Sequence, residues 1–443
     1  MTGIGESGRG QSLRRVIGVR GVAFTSFNCI IGAGIFGLPA LVAAVLGPAA
    51  IVAYLVCALL IGLVGLCFAE AGSRVSSAGG LYAYASVSFG PVVGGVAGML
   101  VLIANCMASG AALARFLVDT IGVVWPVMTE ALPRTTFLAG LYLVLATVNI
   151  RGARGGVRLT TIIAFVKLAP LLLLIAAGAF AIHAPNLRWG GMPSVAAVGQ
   201  GSVLLFFAFM GVEAGLGTSG EASNPARTIP RAIFLALTLV AGLYIALQLV
   251  AQGVLGAALA TSDAPLVATA TAVFGPWGTR LLLGTTILSA AGYMVADMLS
   301  SPRSGFAMAE AGQLPRRLAA IHPRFGTPAL AIGSYAAICF LLAASGSFRQ
   351  LVVVASSGTL ILYLICSLGV LRLRARGVEM AGTPFRAPGG VVVPVAAAAI
   401  IVWMLTTLAW SEMAAAFGLV AVSAILYGVQ HLVRSRQAAE ALV

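Results

Sequence analysis

The sequence predicts an all-α membrane protein of about twelve transmembrane helices, and three observations predict it. Hydrophobic residues fill 60% of its 443 positions and charged residues only 9%, where a soluble domain carries about 25% charge. Apolar runs of the ~20 residues that a spanning helix needs recur along the chain between short polar stretches, leaving no room for a soluble domain. The arginines, finally, collect on one side once those runs are threaded through a bilayer.

The helices are expected at roughly 20–44, 49–72, 89–114, 136–150, 157–182, 198–217, 230–256, 277–302, 328–345, 350–372, 391–410 and 414–433. With the N-terminus inside, the cytoplasmic face receives Arg9, Arg14, Arg15, Arg20, Arg74, Arg151, Arg154, Arg158, Arg227, Arg231, Arg303, Arg316, Arg317, Arg324 and every arginine from Arg372 onward. The outer face receives Arg134, Arg188, Arg280 and Arg349. This bias is the positive-inside rule, and it supports an even helix count with both termini in the cytoplasm of a cytoplasmic (inner) membrane. The net charge of +14 is therefore topological: the bilayer is the partner and no nucleic acid is expected. The expected organisation is a cytoplasmic tail over roughly 1–19, a core over 20–375, two further helices within 376–433 and a cytoplasmic tail over 434–443.

Cys29, Cys57, Cys67, Cys106, Cys339 and Cys366 all lie inside apolar runs, with no CxxC pair and no histidine cluster. Disulfides, a metal site and a cofactor are not expected. His183, His322 and His431 fall in loops or at a helix end without ligand spacing, so the chain does not read as an enzyme. The basic N-terminus lacks a small-residue cleavage site after its first apolar run, and the first helix is expected to stay.

Function is legible where the apolar pattern breaks. The first helix contains Gly32-Ala33-Gly34-Ile35-Phe36-Gly37-Leu38-Pro39. Three glycines and a proline cost a helix several kcal/mol, at ~1 for each glycine and ~3 for an interior proline, so the segment is expected to unwind. Unwound backbone survives in a membrane only where it is buried in protein or lines a polar cavity. Its free amides then suit an anion such as a carboxylate; the alternative is that the glycines only allow close helix packing. The sixth helix repeats the theme with Phe207, Gly211, Glu213, Gly215 and Gly217. If helices one to five and six to ten are two repeats, each has an odd number of spans and the halves lie inverted. Paired discontinuous helices in such halves mark a midplane transport site.

At these residues the chain resembles the amino acid–polyamine–organocation superfamily of permeases. The matching segments are GAGIFGLP at 32–39, Ser77 to Tyr84 with Phe89-Gly90, Phe209 to Glu213, Gly220 to Pro225, Arg227 to Arg231, and Arg303 with Met308 to Pro315. The resemblance implies a five-plus-five inverted-repeat (LeuT-type) fold with helices one and six discontinuous and two helices added. It implies alternating-access transport of a small-molecule amino acid, by proton-coupled symport or by amino acid/amine exchange, in a monomer or homodimer. By position, Gly32, Ala33, Gly34 and Ile35 would hold the substrate carboxylate, carbonyls released in helices one and six, around Gly211 in the latter, its amino group, and Phe207 would close over it. Ala33 stands where the family often has serine, so one hydroxyl near the carboxylate is absent. Asn105 matches a substrate-contacting asparagine, although such residues also bond between membrane helices.

Three deep charges remain. Lys167 is the only lysine, and counting ~1.5 Å per residue puts it ~15 Å into the fifth helix. An ionised lysine there costs at least ~2.5–3.5 kcal/mol and should be paired or neutral. The resemblance implies coupling, with Lys167 standing where sodium sits in distant sodium-driven relatives; a static ion pair between helices is the alternative. Glu213 matches an acid near the substrate in related exchangers, and Asp297 a position lining their pocket. Counting along the eighth helix places Asp297 nearer the cytoplasm than that, unless the helix extends beyond the membrane. Two acids and an amide suit a substrate with a cationic side chain, slightly favoured over a small neutral one, and also suit proton relay or neutralisation of Lys167. A channel or complex subunit could bury the same charges, but paired glycine breaks argue for a carrier. Arg115 and Asp119, four residues apart, are expected to pair on the third helix.

Overall fold

A computed structural model describes residues 18–19, 23, 27, 30–32, 34–75, 80–152, 156–212, 225–380 and 384–440. Among them the secondary structure is helical throughout. The long elements are α1 (Gly34–Leu46), α2 (Ile51–Arg74), α3 (Gly80–Phe89), α4 (Pro91–Leu100), α5 (Ser109–Gly122), α6 (Ala131–Ile150), α7 (Gly156–Gly178) and α8 (Val195–Phe209). They continue as α9 (Pro225–Leu255), α10 (Pro265–Phe274), α11 (Pro276–Glu310), α12 (Ala329–Ser345), α13 (Phe348–Ala375), α14 (Val392–Thr406) and α15 (Trp410–Glu440). A π-helical segment, Val101–Ala108, joins α4 to α5 into one span.

Among the described residues, seven helical stretches are long and apolar enough to cross a membrane, and five shorter apolar helices accompany them. The multi-pass character follows from which faces are covered. Leu143, Val144 and Val148 of α6 and Phe417, Ile425 and Leu432 of α15 are exposed large apolar side chains, which in a bilayer face lipid at no cost. At the centre, α13 packs against α2, α3, α5, α8 and α14, while α11 packs against α5, α7 and α12. α1 lies against α8, and α9 against α2.

Several sequence expectations need correction. The unwinding expected over Gly32–Pro39 stops before Gly34: α1 is helical from there with Pro39 inside it. Pro39 gives up the bond that it would donate to the carbonyl four residues back, and α1 tolerates this because residues 34–40 are all buried in packing. The third span runs on to Gly122 and the eighth to Glu310, so Asp297 lies well inside α11. The short helices α3 and α10 were not anticipated, since ten residues give too little pattern to separate from their neighbours.

The ends of the spans are tied by polar side chains. Glu70, with no exposed surface, accepts from Arg74 Nε at 3.1 Å, from Arg374 Nε at 2.7 Å and Nη2 at 2.5 Å, and from the Ala387 amide at 2.8 Å. This binds α2, α13 and the segment leading to α14. Arg115 and Asp119 form the expected i,i+4 pair at 2.9 Å, and Arg115 also donates to the Gly346 carbonyl.

Candidate functional site

The first break is a tight turn. The Ile31 amide donates to the Phe27 carbonyl at 3.0 Å, and the Gly32 amide folds back to Ile30 at 2.7 Å. Because α1 begins only at Gly34, the Ile30 and Ile31 carbonyls are left without helical partners. Side chains from two other helices supply them. Lys167 Nζ of α7, 7% exposed, donates to the Ile31 carbonyl. The Tyr244 hydroxyl of α9, wholly buried, shares its one proton between the Ile30 carbonyl at 3.1 Å and the Ala208 carbonyl of α8 at 3.2 Å.

The second break follows from one glycine. α8 ends at Phe209, Met210 is extended at φ −64° and ψ 152°, and Gly211 has φ +101°, a conformation that a side chain would strain. Glu213 and the remainder of the predicted sixth helix lie outside the described residues, as do Ala33, Cys29, Ser77–Gly79 and Gly220–Asn224.

Between the breaks lies a cavity of about 90 Å³ lined by Ile30, Gly32, Gly34, Asn105, Ser109, Leu113, Phe207, Ala208, Met210, Gly211 and Tyr293. Of the expected site residues, Gly32, Gly34, Asn105, Phe207 and Gly211 are thus brought together. Ile35 is buried in the first turn of α1, outside the lining. Gly34 leaves room for Phe207: a Cβ there would lie 3.0 Å from its Cδ1, so the ring would have to give by a few tenths of an ångström. Gly37 serves packing, since its Cβ would lie 2.6 Å from the Phe116 ring. The packing reading of the glycine cluster thus holds at Gly37, and Gly34 faces the ring of Phe207 at the cavity.

Asn105 reaches the cavity from the π-helical segment, whose wider turn re-aims side chains and recurs at functional sites. Asp297 is placed elsewhere. One turn beyond Tyr293 on α11, its carboxylate accepts from Ser301 Oγ at 2.6 Å and from the Tyr335 hydroxyl of α12 at 2.7 Å. It lies against Gly110 of α5, where an added Cβ would come within 2.8 Å of Oδ2. Sequence reasoning missed Tyr244, Tyr293 and Ser109. Helical spacing carried a signal for the last two: Ser109 follows Asn105 by four, and Tyr293 precedes Asp297 by four.

The amino acid permease family model matches residues 17–429. The chain belongs to that family. Its relatives carry different cargoes by name. The methylthioribose transporter of Bacillus subtilis is 27% identical over 423 residues, covering 90% of each chain. The branched-chain amino acid permease of the same organism is 26% identical over 422 residues, 90% of this chain and 89% of the relative. The cationic amino acid transporter 4 of Mus musculus is 28% identical over 408 residues, 87% of this chain and 64% of the relative. The cavity lies between the backbone breaks at Gly32 and at Gly211.

Proposed function

We propose that the protein is a secondary transporter of a small neutral amino acid, working by alternating access in the cytoplasmic membrane with both termini inside and with protons as the driving ion. The observation that carries this reading is that the breaks at Ile31–Gly32 and Met210–Gly211 line one cavity. The substrate carboxylate lies at the start of α1, on the amides of Gly34 and Ile35, where the N–H groups of a helix's first turn and its dipole favour an anion; the Gly32 amide is already given to the Ile30 carbonyl. Carbonyls next to the breaks take the amino group, Asn105 adds an amide, and Phe207 closes over the side chain. Lys167 substitutes for a structural cation by joining α7 to the first break.

A neutral side chain fits better than a charged one because the described lining contains no ionised residue. Its volume corresponds to roughly three waters at ≈30 Å³ each. The second reading, a cationic amino acid or an amine exchanged for one, rests on Glu213 two residues past Gly211 and on a relative named for cationic amino acids. A channel is the rival from another class. Purified protein in liposomes separates them: a carrier shows saturable uptake and counterflow of radiolabelled alanine or a branched-chain amino acid. Stimulation by lysine or arginine alone favours the second reading, and conductance without counterflow refutes transport by a carrier.

A further inference from the structure

We propose that Asp297 is the residue that carries the coupling proton, in a compartment of its own behind the substrate cavity. The inference rests on the proton-coupled reading above and names where in that reading the proton binds.

The described acids within the spans are held in different ways. Glu70 is locked by two guanidinium groups and a backbone amide, and Asp119 is paired with Arg115. Such partners fit only the ionised carboxylate, because guanidinium and amide groups donate and never accept. Asp297 is bonded to two hydroxyls and, among the described residues, forms no ion pair. A hydroxyl can donate to a carboxylate and, by rotating, accept from a carboxylic acid. The Ser301 and Tyr335 pair therefore serves Asp297 in either protonation state with no side-chain movement. A carboxylate deep in a membrane span without a cation is costly, which makes it a functional site by default.

Among the described residues its surroundings contain no competing charge. α5 contributes Gly110 at the carboxylate, and the charges of that helix, Arg115 and Asp119, neutralise one another. α12 contributes Tyr335 and Cys339, α6 contributes Tyr142, and the π-helical segment contributes Cys106. Lys167 of α7 goes to the Ile31 carbonyl. Arg316 and Arg317, in the turn after α11, are exposed, and α10 has no ionisable residue.

The compartment adjoins the cavity through two walls. On α11, Tyr293 lines the cavity one turn before Asp297. On the third span, Asn105 and Ser109 line the cavity while Gly110, the next residue, touches the acid. A rearrangement of either wall on substrate binding changes the setting of Asp297. In one turnover the carboxylate takes a proton from the outer side, the neutral acid accompanies the loaded substrate, and the proton leaves on the inner side, restoring the carboxylate.

The test uses full-length protein in liposomes, with radiolabelled substrate and an imposed pH gradient. Wild type is expected to accumulate substrate on the gradient. Asp297→Asn is expected to lose that accumulation and the pH dependence of uptake while keeping counterflow within about threefold, since counterflow needs no net proton movement. Asp297→Glu restores accumulation. Tyr335→Phe, which keeps the acid and its packing, moves the pH of half-maximal uptake by about half a unit or more, the equivalent of one hydrogen bond. Accumulation that persists in Asp297→Asn overturns the inference. So does an unmoved midpoint in Tyr335→Phe, or loss of counterflow in folded Asp297→Asn, which would make the residue a substrate contact. A wild type that never accumulates substrate on the gradient instead refutes the proton-coupled reading itself.

Discussion

The hydroxyl of Tyr244 lies 3.1 Å from the carbonyl oxygen of Ile30, and the same hydroxyl lies 3.2 Å from that of Ala208. One side chain of α9 thus holds the backbone of both broken helices. Tyr244→Phe keeps the ring edge-on to Phe209 at 5.4 Å and removes only the donor. Losing that donor costs about 0.5–1.5 kcal/mol, since the Ile30 carbonyl keeps the Gly32 amide. The expected result is folded protein with initial uptake slowed about tenfold, read as radiolabel uptake per milligram in liposomes. An unchanged rate would show that the hydroxyl does not set the geometry of the breaks.

Gly211 offers a sharper local test, because its φ of +101° strains any other residue. Gly211→Ala should cost roughly 1–3 kcal/mol in the conformation shown, and counterflow should fall at least fivefold. Gly242→Ala is the matched control. It sits exposed within α9 with nothing near an added Cβ, so it should keep full counterflow. Its melting temperature in detergent should be equal or higher, as alanine improves a helix interior by roughly 0.5–1 kcal/mol.

Much of this was legible in sequence for a simple reason: a bilayer selects helices by length and hydrophobicity, and composition alone records both. The breaks were legible because glycine, like proline, shows its backbone behaviour in its identity, as at Gly32 and Gly211. What stayed hidden depends on partners far along the chain. Tyr244 in an apolar run reads the same whether it faces lipid or a carbonyl. The π-helical turn at Val101–Ala108 has an ordinary helical composition. Glu70 and Arg74 suggest a local pair, but Arg374 is 304 positions away. Asp297 was picked out by its charge, while its turn onto Ser301 and Tyr335 could not be read without the packing of α11 on α12.

Lys167 donates to Ile31, a bond that puts its charge on the first break. Lys167→Met keeps a flexible apolar stem and deletes the ammonium, so the carbonyl loses its donor and α7 its tie to the break. Uptake is expected to fall more than tenfold, with a weakened response to pH. Both quantities come from initial rates measured between about pH 5 and pH 8, the span over which protonation-linked transport is usually read. If rate and pH profile both match wild type, Lys167 is a passive packing residue and has no part in coupling.

Glu70 calls for a stability measurement. Its carboxylate gathers Arg74, Arg374 and the Ala387 amide at one fully buried point. Removing its charge leaves two guanidinium groups facing each other, and unpairing a buried ion pair costs about 3–5 kcal/mol. Glu70→Gln should lower the detergent melting temperature by several degrees and expose the segment after Met380 to protease, because the Met380 amide and Phe385 amide are anchored to Arg74 and Ser73 beside it. Arg374→Lys keeps one positive charge but not the two-pronged contact to both carboxylate oxygens, so its melting temperature should fall between that of Glu70→Gln and wild type. Substrate affinity in the folded fraction should be unchanged for both variants, since Glu70 and Arg374 lie outside the cavity lining. A loss of affinity without a loss of stability would instead tie this cluster to the transport cycle.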